Sequence, residues 1–324
     1  MRILVTGGAG YIGSFAVKAL VEEGHEVVVY DNLEHGHRDA VDKRAQLIVG
    51  DLKDVGRLNS ALKNIDAVMH FAAYCYVGES VLNPGKYFRN NVLHALNLLE
   101  AMKKNNVRKI IFSSSCATYG SPKKIPITEA EKTKPINPYG ETKLIFEKML
   151  DAQRLHGIRS ISLRYFNAAG AALDGSIGED HRPETHLIPK VLMAAWKNKP
   201  IEVYGSDYKT KDGTCVRDYI HVLDLAKAHM LALDSLDDGV EGFYNLGSEK
   251  GYSIFEIIEE AQKATGKKIK IKKCPRREGD PPVLIASSKK IKRELGWKPG
   301  YSDIKTIMES AWKWHKTHPK GYKK

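Results

Sequence analysis

Cysteine is scarce in this 324-residue chain. The four present, Cys75, Cys116, Cys215 and Cys274, stand far apart and form no CxxC pair. That usage excludes a disulfide framework and a cysteine-based zinc site, and it suits a reducing cytoplasm. Long apolar runs are missing too, since none approaches the roughly 20 residues that a membrane span needs. Arg2 leads straight into the apolar Ile3-Leu4-Val5, so no signal peptide is expected. There is no HExxH, GxSxG or Walker phosphate loop, which removes zinc-protease, serine-hydrolase and P-loop chemistry. The close histidine pairs, His35-Gly36-His37 and His315-Lys316-Thr317-His318, lack a cysteine or acid cluster with zinc-site spacing. No metal is therefore expected.

Acidic residues are outnumbered by basic ones, 39 to 51, for a net charge of +12. The excess is densest from Lys263 to Arg277 and from Lys313 to Lys324. After its first lysine pair, Lys267 to Lys273 alternates lysine with isoleucine, which suits an edge strand with lysines turned to solvent. No aromatic platform accompanies the run, so a nucleic acid is not an expected partner. Part of the charge suits the attraction of anionic substrates.

What the chain does have begins at Thr6-Gly7-Gly8-Ala9-Gly10-Tyr11-Ile12-Gly13. An apolar strand precedes it, and Ile12, Phe15, Ala16, Ala19 and Leu20 follow at helical spacing. A glycine turn between strand and helix lets backbone approach a pyrophosphate, and the helix start offers free N–H groups to it. A second strand, Glu26 to Tyr30, ends at Asp31. That acid stands about 20 residues beyond the glycines, where a ribose-binding carboxylate belongs, and where it would repel a 2′-phosphate. The spacing predicts a dinucleotide site.

Strand and helix signals then alternate, the pattern of a doubly wound parallel sheet. Strands are predicted at Gln46–Val49, Ala67–Ala73, Lys109–Phe112 and Ser160–Phe166, with helices at Pro84–Asn105 and Asn137–His156. Residues 168–183 read as loops. Helices follow at Leu187–Lys197 and Val222–Leu236, from the capping box at Ser253, and from about Ser302 to Lys316. The fold class is α/β, a Rossmann-type sheet with a smaller α/β domain. The division is near residue 170, into 1–170 and 171–324, and a segment about 218–248 returns to the first sheet through Phe243-Tyr244-Asn245-Leu246.

Chemistry concentrates in Tyr139-Gly140-Glu141-Thr142-Lys143. Residues four apart on a helix share a face, so Lys143 can stand beside Tyr139 and favour its phenolate. Such a tyrosine is a candidate base towards a sugar hydroxyl. Ser115, at the carboxyl end of a strand, faces the crevice where ligands bind and can bridge a substrate oxygen to Tyr139.

With TGGAGYIGS, YDNL, HFAA, VGES, NNV, NPYGETK, RYFN, GED, DGTCVRDYIHV and RREGDPP all in place, the chain resembles the extended short-chain dehydrogenase/reductase family, most closely its UDP-sugar 4-epimerases. The resemblance spans nearly the whole chain. It implies a bound NAD lying against Gly7, Gly10, Tyr11, Ile12 and Gly13, with Asp31 on the adenosine ribose and Asn32, Leu33, Glu34, His35 and Gly36 lining that site. Asp51 and Leu52 would flank the adenine. Phe71, Ala72, Ala73, Tyr74 and Cys75 would run beneath the cofactor, and Asn90, Ser115, Tyr139, Lys143 and Phe166 would surround its nicotinamide end. Ser115, Tyr139, Asn167, His186, Leu187, Tyr204, Arg217, Arg277, Asp280 and Leu284 would meet a UDP-sugar. The two arginines suit a diphosphate, because guanidinium forks match its oxygens.

The implied activity is reversible 4-epimerisation of UDP-galactose and UDP-glucose through a 4-keto sugar, with UDP-N-acetylglucosamine or UDP-glucuronate as alternative substrates. Homodimers are implied, through the helices at 84–105 and 137–156. Three positions depart from the family pattern. Cys75 stands where relatives carry lysine or serine, His186 replaces a common asparagine, and Leu284 occupies a variable position beside the sugar. Leucine there leaves room for an N-acetyl group. Dehydratases of the family carry an Asp-Glu pair where this chain has Cys116-Ala117, which argues against dehydration. A non-catalytic, NAD-sensing relative would be expected to lose Tyr139 or Lys143, and both are kept.

Overall fold

The computed structural model describes residues 1–277 and 280–323. Its strands are β1 (Arg2–Thr6), β2 (Glu26–Asp31), β3 (Gln46–Val49), β4 (Ala67–His70), β5 (Lys109–Ser115), β6 (Arg159–Tyr165), β7 (Asn167–Ala169), β8 (Ile201–Tyr204), β9 (Val216–His221), β10 (Gly242–Leu246), β11 (Gly251–Ser253), β12 (Ile271–Cys274) and β13 (Val283–Leu284). Its helices are α1 (Tyr11–Glu22), α2 (Val55–Ala61), α3 (Val77–Leu82), α4 (Pro84–Phe88), α5 (Ala95–Lys104), α6 (Pro138–Gln153), α7 (Leu187–Lys197), α8 (Val222–Asp237), α9 (Ile254–Thr265), α10 (Lys289–Glu294) and α11 (Ile304–Thr317). Among the described residues no helix is long and apolar enough to cross a membrane.

Seven strands form one parallel sheet in the order β10-β6-β5-β4-β1-β2-β3. Alternate side chains of each strand point to opposite faces, and both faces are apolar. Ile3 and Val5 of β1 face α1 and α8, meeting Val17, Leu20, Leu225 and Leu233. Leu4 between them joins Leu58, Leu98, Met102 and Phe146 of the helices on the other face. Each such fully buried side chain contributes about 1.5–3 kcal/mol. The chain order reverses between β1 and β4. A crevice therefore opens beyond their carboxyl ends, where ligands bind in sheets of this kind.

Several predicted elements have different limits. β4 stops at His70 because the N–H groups of Phe71 and Ala72 both turn to the Thr6 carbonyl, at 2.8 and 3.0 Å, and leave the ladder. β5 extends through Ser115. The helix predicted over 84–105 contains a π-helical stretch at Arg89–His94. Asn167–Ala169, which overlaps the first two residues of the expected loop region, forms β7, parallel to β9. Of the lysine-rich run, only its end is strand, where Ile271–Cys274 pairs with β8.

A second apolar cluster gathers α7, α9 and α11 over β8, with Val191, Leu192, Ile257, Ile307 and Met308 at its centre. Buried Asp218 of β9 ties this region together, accepting hydrogen bonds from the N–H groups of Ser248, Glu249 and Ala286 and from the Ser248 hydroxyl. It thereby sets the register of β13 beside β9, where Leu284 is paired with Arg217.

The sheet is locked to α6 by charge. Arg164 of β6 and Glu147 of α6 are both buried. The Arg164 Nε donates to Glu147 Oε1 at 2.8 Å, Nη2 donates to Oε2, and the Ser114 hydroxyl donates to Oε1 at 2.5 Å. Nη1 of the arginine also donates to the Tyr119 hydroxyl at 3.0 Å, which in turn donates to Asn245 of β10. Glu147→Ala should lower unfolding stability by about 3–5 kcal/mol, because it strands a buried guanidinium. Replacing both partners, as Glu147→Leu with Arg164→Met, should recover most of that loss. Urea denaturation of the three proteins checks this, and a loss near zero for Glu147→Ala would contradict it.

Candidate active site

The glycine turn closes tightly at the carboxyl end of β1. A Cβ at Gly13 would stand 2.2 Å from the Gly7 carbonyl oxygen, so only glycine permits this packing of helix on turn. Gly10 caps α1 without a side-chain hydrogen bond. A Cβ at Gly10 would meet only the Gly7 oxygen, at 3.3 Å. The turn thus leaves room beside Gly10 at the start of the helix, which suits a pyrophosphate. The Tyr11 side chain turns away and donates to the Gly170 carbonyl at 2.6 Å.

Asp31 ends β2. Its oxygens accept from the N–H groups of Ala9 at 3.0 Å and Leu33 at 2.8 Å. Burial raises its pKa, against those two bonds. Each carboxylate oxygen keeps lone-pair capacity for a ribose hydroxyl. Gly36 lies against it, since a Cβ there would come 2.8 Å from Asp31 Oδ1. Asn32 donates to Asp51 at 3.2 Å, Leu33 takes a positive φ of 60°, and Glu34 accepts from the Tyr74 hydroxyl at 2.7 Å. His35 stands edge-on to Tyr74. Leu52 is buried beside Asp51. The glycine turn, Asp31 and the loop after β4 thus lie at the carboxyl ends of the adjacent strands β1, β2 and β4, and their chemistry fits a dinucleotide.

Across the crevice, α6 presents Tyr139 and Lys143. The Lys143 Nζ donates to the Ser113 carbonyl of β5 at 2.7 Å and lies 5.8 Å from the Tyr139 ring centroid. The Ser115 hydroxyl accepts from the Ala117 N–H at 3.1 Å and stands near enough to Tyr139 to favour its ionised form. Phe166 lies buried next to β6, packed with Cys116 and Leu284.

The electrostatics differ from the expected balance. Lys143 does not bring the Tyr139 pKa down in the protein alone. Burial raises it well above 10.0, Cys75 adds to the rise, and Ser115 offsets part of it. Burial also pushes Lys143 from 10.5 down to about 8, against Cys75 and Glu147. Cys75 is raised by burial as well, opposed by His186 and Lys143. One desolvated chamber thus holds all three groups.

The loop after β4 is fixed by a residue that sequence reasoning passed over. Asn91, in the π-helical stretch, accepts from the Tyr74 N–H at 2.9 Å and donates to the Tyr74 carbonyl at 3.0 Å. It also donates to Thr142 of α6, whose hydroxyl returns to the Tyr139 carbonyl at 2.8 Å. Its predicted neighbour Asn90 donates to the Asn91 side chain at 2.9 Å. The asparagine pair is visible in the sequence, but which member reaches inward depends on the π-helical turn.

On the other side of the crevice Asn167 donates to the Asp218 carbonyl at 2.8 Å. Arg217 and Asp280 form an ion pair, and the Arg277 guanidinium covers the Tyr204 ring at 4.1 Å. A diphosphate would therefore share Arg217 with Asp280. His186 and Leu187 open α7. His186 Nδ1 lies 2.8 Å from Glu179 and 3.0 Å from Glu184. Burial by itself would lower the His186 pKa, but the two carboxylates hold it well above the usual imidazole range. Glu179 and Glu184 were not among the expected residues, although the spacing Glu-x-His-x-x-Glu-x-His at 179–186 is legible.

The Lys143 shift has a measurable consequence. Between about pH 8 and its ordinary 10.5 the folded lysine is neutral while the unfolded chain still binds the proton, so its contribution to stability rises with pH across that window. In a ¹³C NMR titration of lysine-labelled chain without nucleotide, one resonance should titrate near pH 8 and vanish in Lys143→Met. Titration of every lysine in the ordinary range would contradict this.

The sequence pattern of the NAD dependent epimerase/dehydratase family matches residues 3–247. The chain is similar to the UDP-glucose 4-epimerase of Lacticaseibacillus casei, at 52% identity over 327 residues, with 99% of each chain covered. It is similar to a solved UDP-glucose 4-epimerase with a TM-score of 0.97, at 52% identity over 100% of both chains. The UDP-glucose 4-epimerase of Bifidobacterium longum, solved in complex with NAD⁺ and UDP, is similar at a TM-score of 0.93 and 39% identity, covering 99% of this chain and 100% of that one. With the glycine turn, Asp31 and the Ser115–Tyr139–Lys143 group standing as described, the chain belongs to the NAD dependent epimerase/dehydratase family.

Proposed function

We propose that this chain interconverts UDP-galactose and UDP-glucose by inverting C4 of the hexose. The observation that carries the reading is the convergence of Ser115, Tyr139 and Lys143 at the carboxyl ends of β5 and α6's first turns, facing the glycine turn and Asp31. It agrees with the activity for which relatives 52% identical over 99% of this chain are named.

The turn at Gly7–Gly13 and Asp31 would hold NAD, and Asp31 favours a free 2′-hydroxyl over a 2′-phosphate. Bound NAD supplies the two-electron redox chemistry at C4, first as oxidant and then as reductant. The chain's own residues manage the proton. Tyr139 takes it from the 4-hydroxyl and returns it after the 4-keto sugar has turned over in the site. Ser115 bridges the sugar oxygen and the phenol. Lys143, tied to the Ser113 carbonyl, sets the charge beside them. In the free chain Tyr139 is the phenol; a positive charge brought into the chamber lowers its pKa, so that it releases this proton to solvent and takes the 4-hydroxyl proton as the phenolate. Arg217, Arg277 and Tyr204 hold the UDP moiety, while Leu284, paired with Arg217 beside Phe166, lines the hexose. Cys116 and Ala117 offer no acid pair for dehydration, and nothing in the site favours UDP-N-acetylglucosamine or UDP-glucuronate over the main pair.

The purified chain, incubated with UDP-galactose and no added nucleotide, should form UDP-glucose. Nucleotide released by denaturation should have the mass of NAD. Tyr139→Phe should lower turnover by about 10²–10⁴-fold while the fold and the bound nucleotide persist. Absence of product from the parent chain would sink the reading, and near-parental turnover in Tyr139→Phe would sink the base assignment.

We also propose a homodimer in the cytoplasm. Leu82 is 87% exposed, Val81, Phe88 and Leu93 are exposed beside it on the helices over 77–94, and Leu155 is 91% exposed. These helices pack against α6, and an apolar face of this kind suits a second copy. The four cysteines are unpaired, which suits a reducing compartment. Sedimentation equilibrium should give twice the chain mass, and Leu93→Lys should shift it towards monomer. A monomer across the accessible concentration range would overturn the assignment.

A further inference from the structure

We propose that Glu179, His181, Glu184 and His186 form a site for a zinc-like divalent cation at the rim of the reacting chamber. All four belong to the segment between β7 and the start of α7. One donor atom from each lies within 4.8 Å of the others. His186 Nδ1 is 2.8 Å from Glu179 Oε1 and 3.0 Å from Glu184 Oε1. His181 Nδ1 is 2.9 Å from Glu179 Oε1 and 3.8 Å from Glu184 Oε2. Nitrogen and oxygen donors bound tetrahedrally to zinc at about 2.0–2.1 Å stand about 3.3 Å apart. The observed separations bracket that value.

The four side chains also hydrogen-bond and pair with one another. A single Nδ1 hydrogen on His186 faces two carboxylate oxygens, and both histidines crowd the same oxygen of Glu179. A cation bonds all four at once. Two imidazoles with two carboxylates select zinc over magnesium, which prefers oxygen alone. Glu179 is 5% exposed and sets the floor of the site, while the His186 side chain, 42% exposed, leaves an entry path.

Tyr76 supplies a separate observation. It is 7% exposed, and among the described residues its buried hydroxyl has no hydrogen-bond partner. Its ring stands edge-on to His35 at 5.7 Å and to His181 at 6.0 Å between centroids, and burial, Cys75, Glu184 and Glu179 all raise its phenol pKa. A buried hydroxyl in that position calls for an acceptor or a bound water, and a water on the cation is such a partner. An ion here would cross-link the 179–186 loop and fix the orientation of His186.

The test is independent of turnover. Untagged chain, freed of metal with a chelator, is titrated with ZnCl₂ by calorimetry. One zinc per chain should bind with micromolar affinity or better, and His181→Gln and Glu184→Gln should each weaken it by at least the roughly 10–100-fold that loss of an outer-shell partner alone causes. MgCl₂ should give no saturable binding. Loading with CoCl₂ should give the intense visible absorption of a tetrahedral site, which decides the matter if either variant fails to fold. Absence of stoichiometric zinc binding, zinc affinity unchanged in both folded variants, equal binding of magnesium, or only the weak bands of octahedral cobalt would overturn the proposal.

Discussion

The reacting centre depends on an ion pair that is far from solvent. Arg164 and Glu147 are joined by two hydrogen bonds between strand β6 and helix α6, and Ser114 and Tyr119 satisfy what the pair leaves over. A charge moved out of water costs several kcal/mol unless it is paired in good geometry. The pairing therefore permits essentially one seat for α6 on the sheet. Lys143 and Glu147 are one helical turn apart on that helix, so the seat that suits the ion pair also brings the ammonium to the Ser113 carbonyl and the Tyr139 phenol to Ser115. A purely apolar α6 would pack on the same strands with freedom to slide. The ion pair removes that freedom.

Burial then works on the chamber in one direction. It raises Tyr139 and Cys75 and lowers Lys143, moving each towards its neutral form. His186 runs the other way because two carboxylates outweigh its desolvation. Neutral Tyr139 and Cys75 thus stand beside an ammonium that burial holds less firmly than usual, and the rim is strongly polarised. A pocket of this kind responds sharply to any charge that enters it, since the low dielectric leaves little screening.

Distant parts of the chain are coupled by single polar side chains rather than by large surfaces. Asn91 connects the Tyr74 backbone to Thr142, and through it to Tyr139. Asp218 holds three backbone N–H groups from two segments and so positions Arg217 and Leu284 opposite Phe166. Both are buried, where an unmade hydrogen bond is costly, and this is why such connections are specific.

Local pattern was enough to determine the parallel sheet, the glycine turn, Asp31 at the end of β2 and the Tyr139–Lys143 pair. Each of these depends on neighbours in sequence: alternation along a strand, the need for glycine where a helix meets its turn, and one turn of helix between two side chains. What lies between segments was not legible. The end of β4 was decided by a shared bond to Thr6, the inward member of the Asn90–Asn91 pair by a π-helical turn, and the Tyr139 pKa by desolvation that no spacing reveals. The gathering of Glu179, His181, Glu184 and His186 had a visible spacing, but a loop has no period to say which side chains converge. Only the packing of that loop against Tyr11 and Tyr76, with the attraction between its carboxylates and histidines, brings the four donors together.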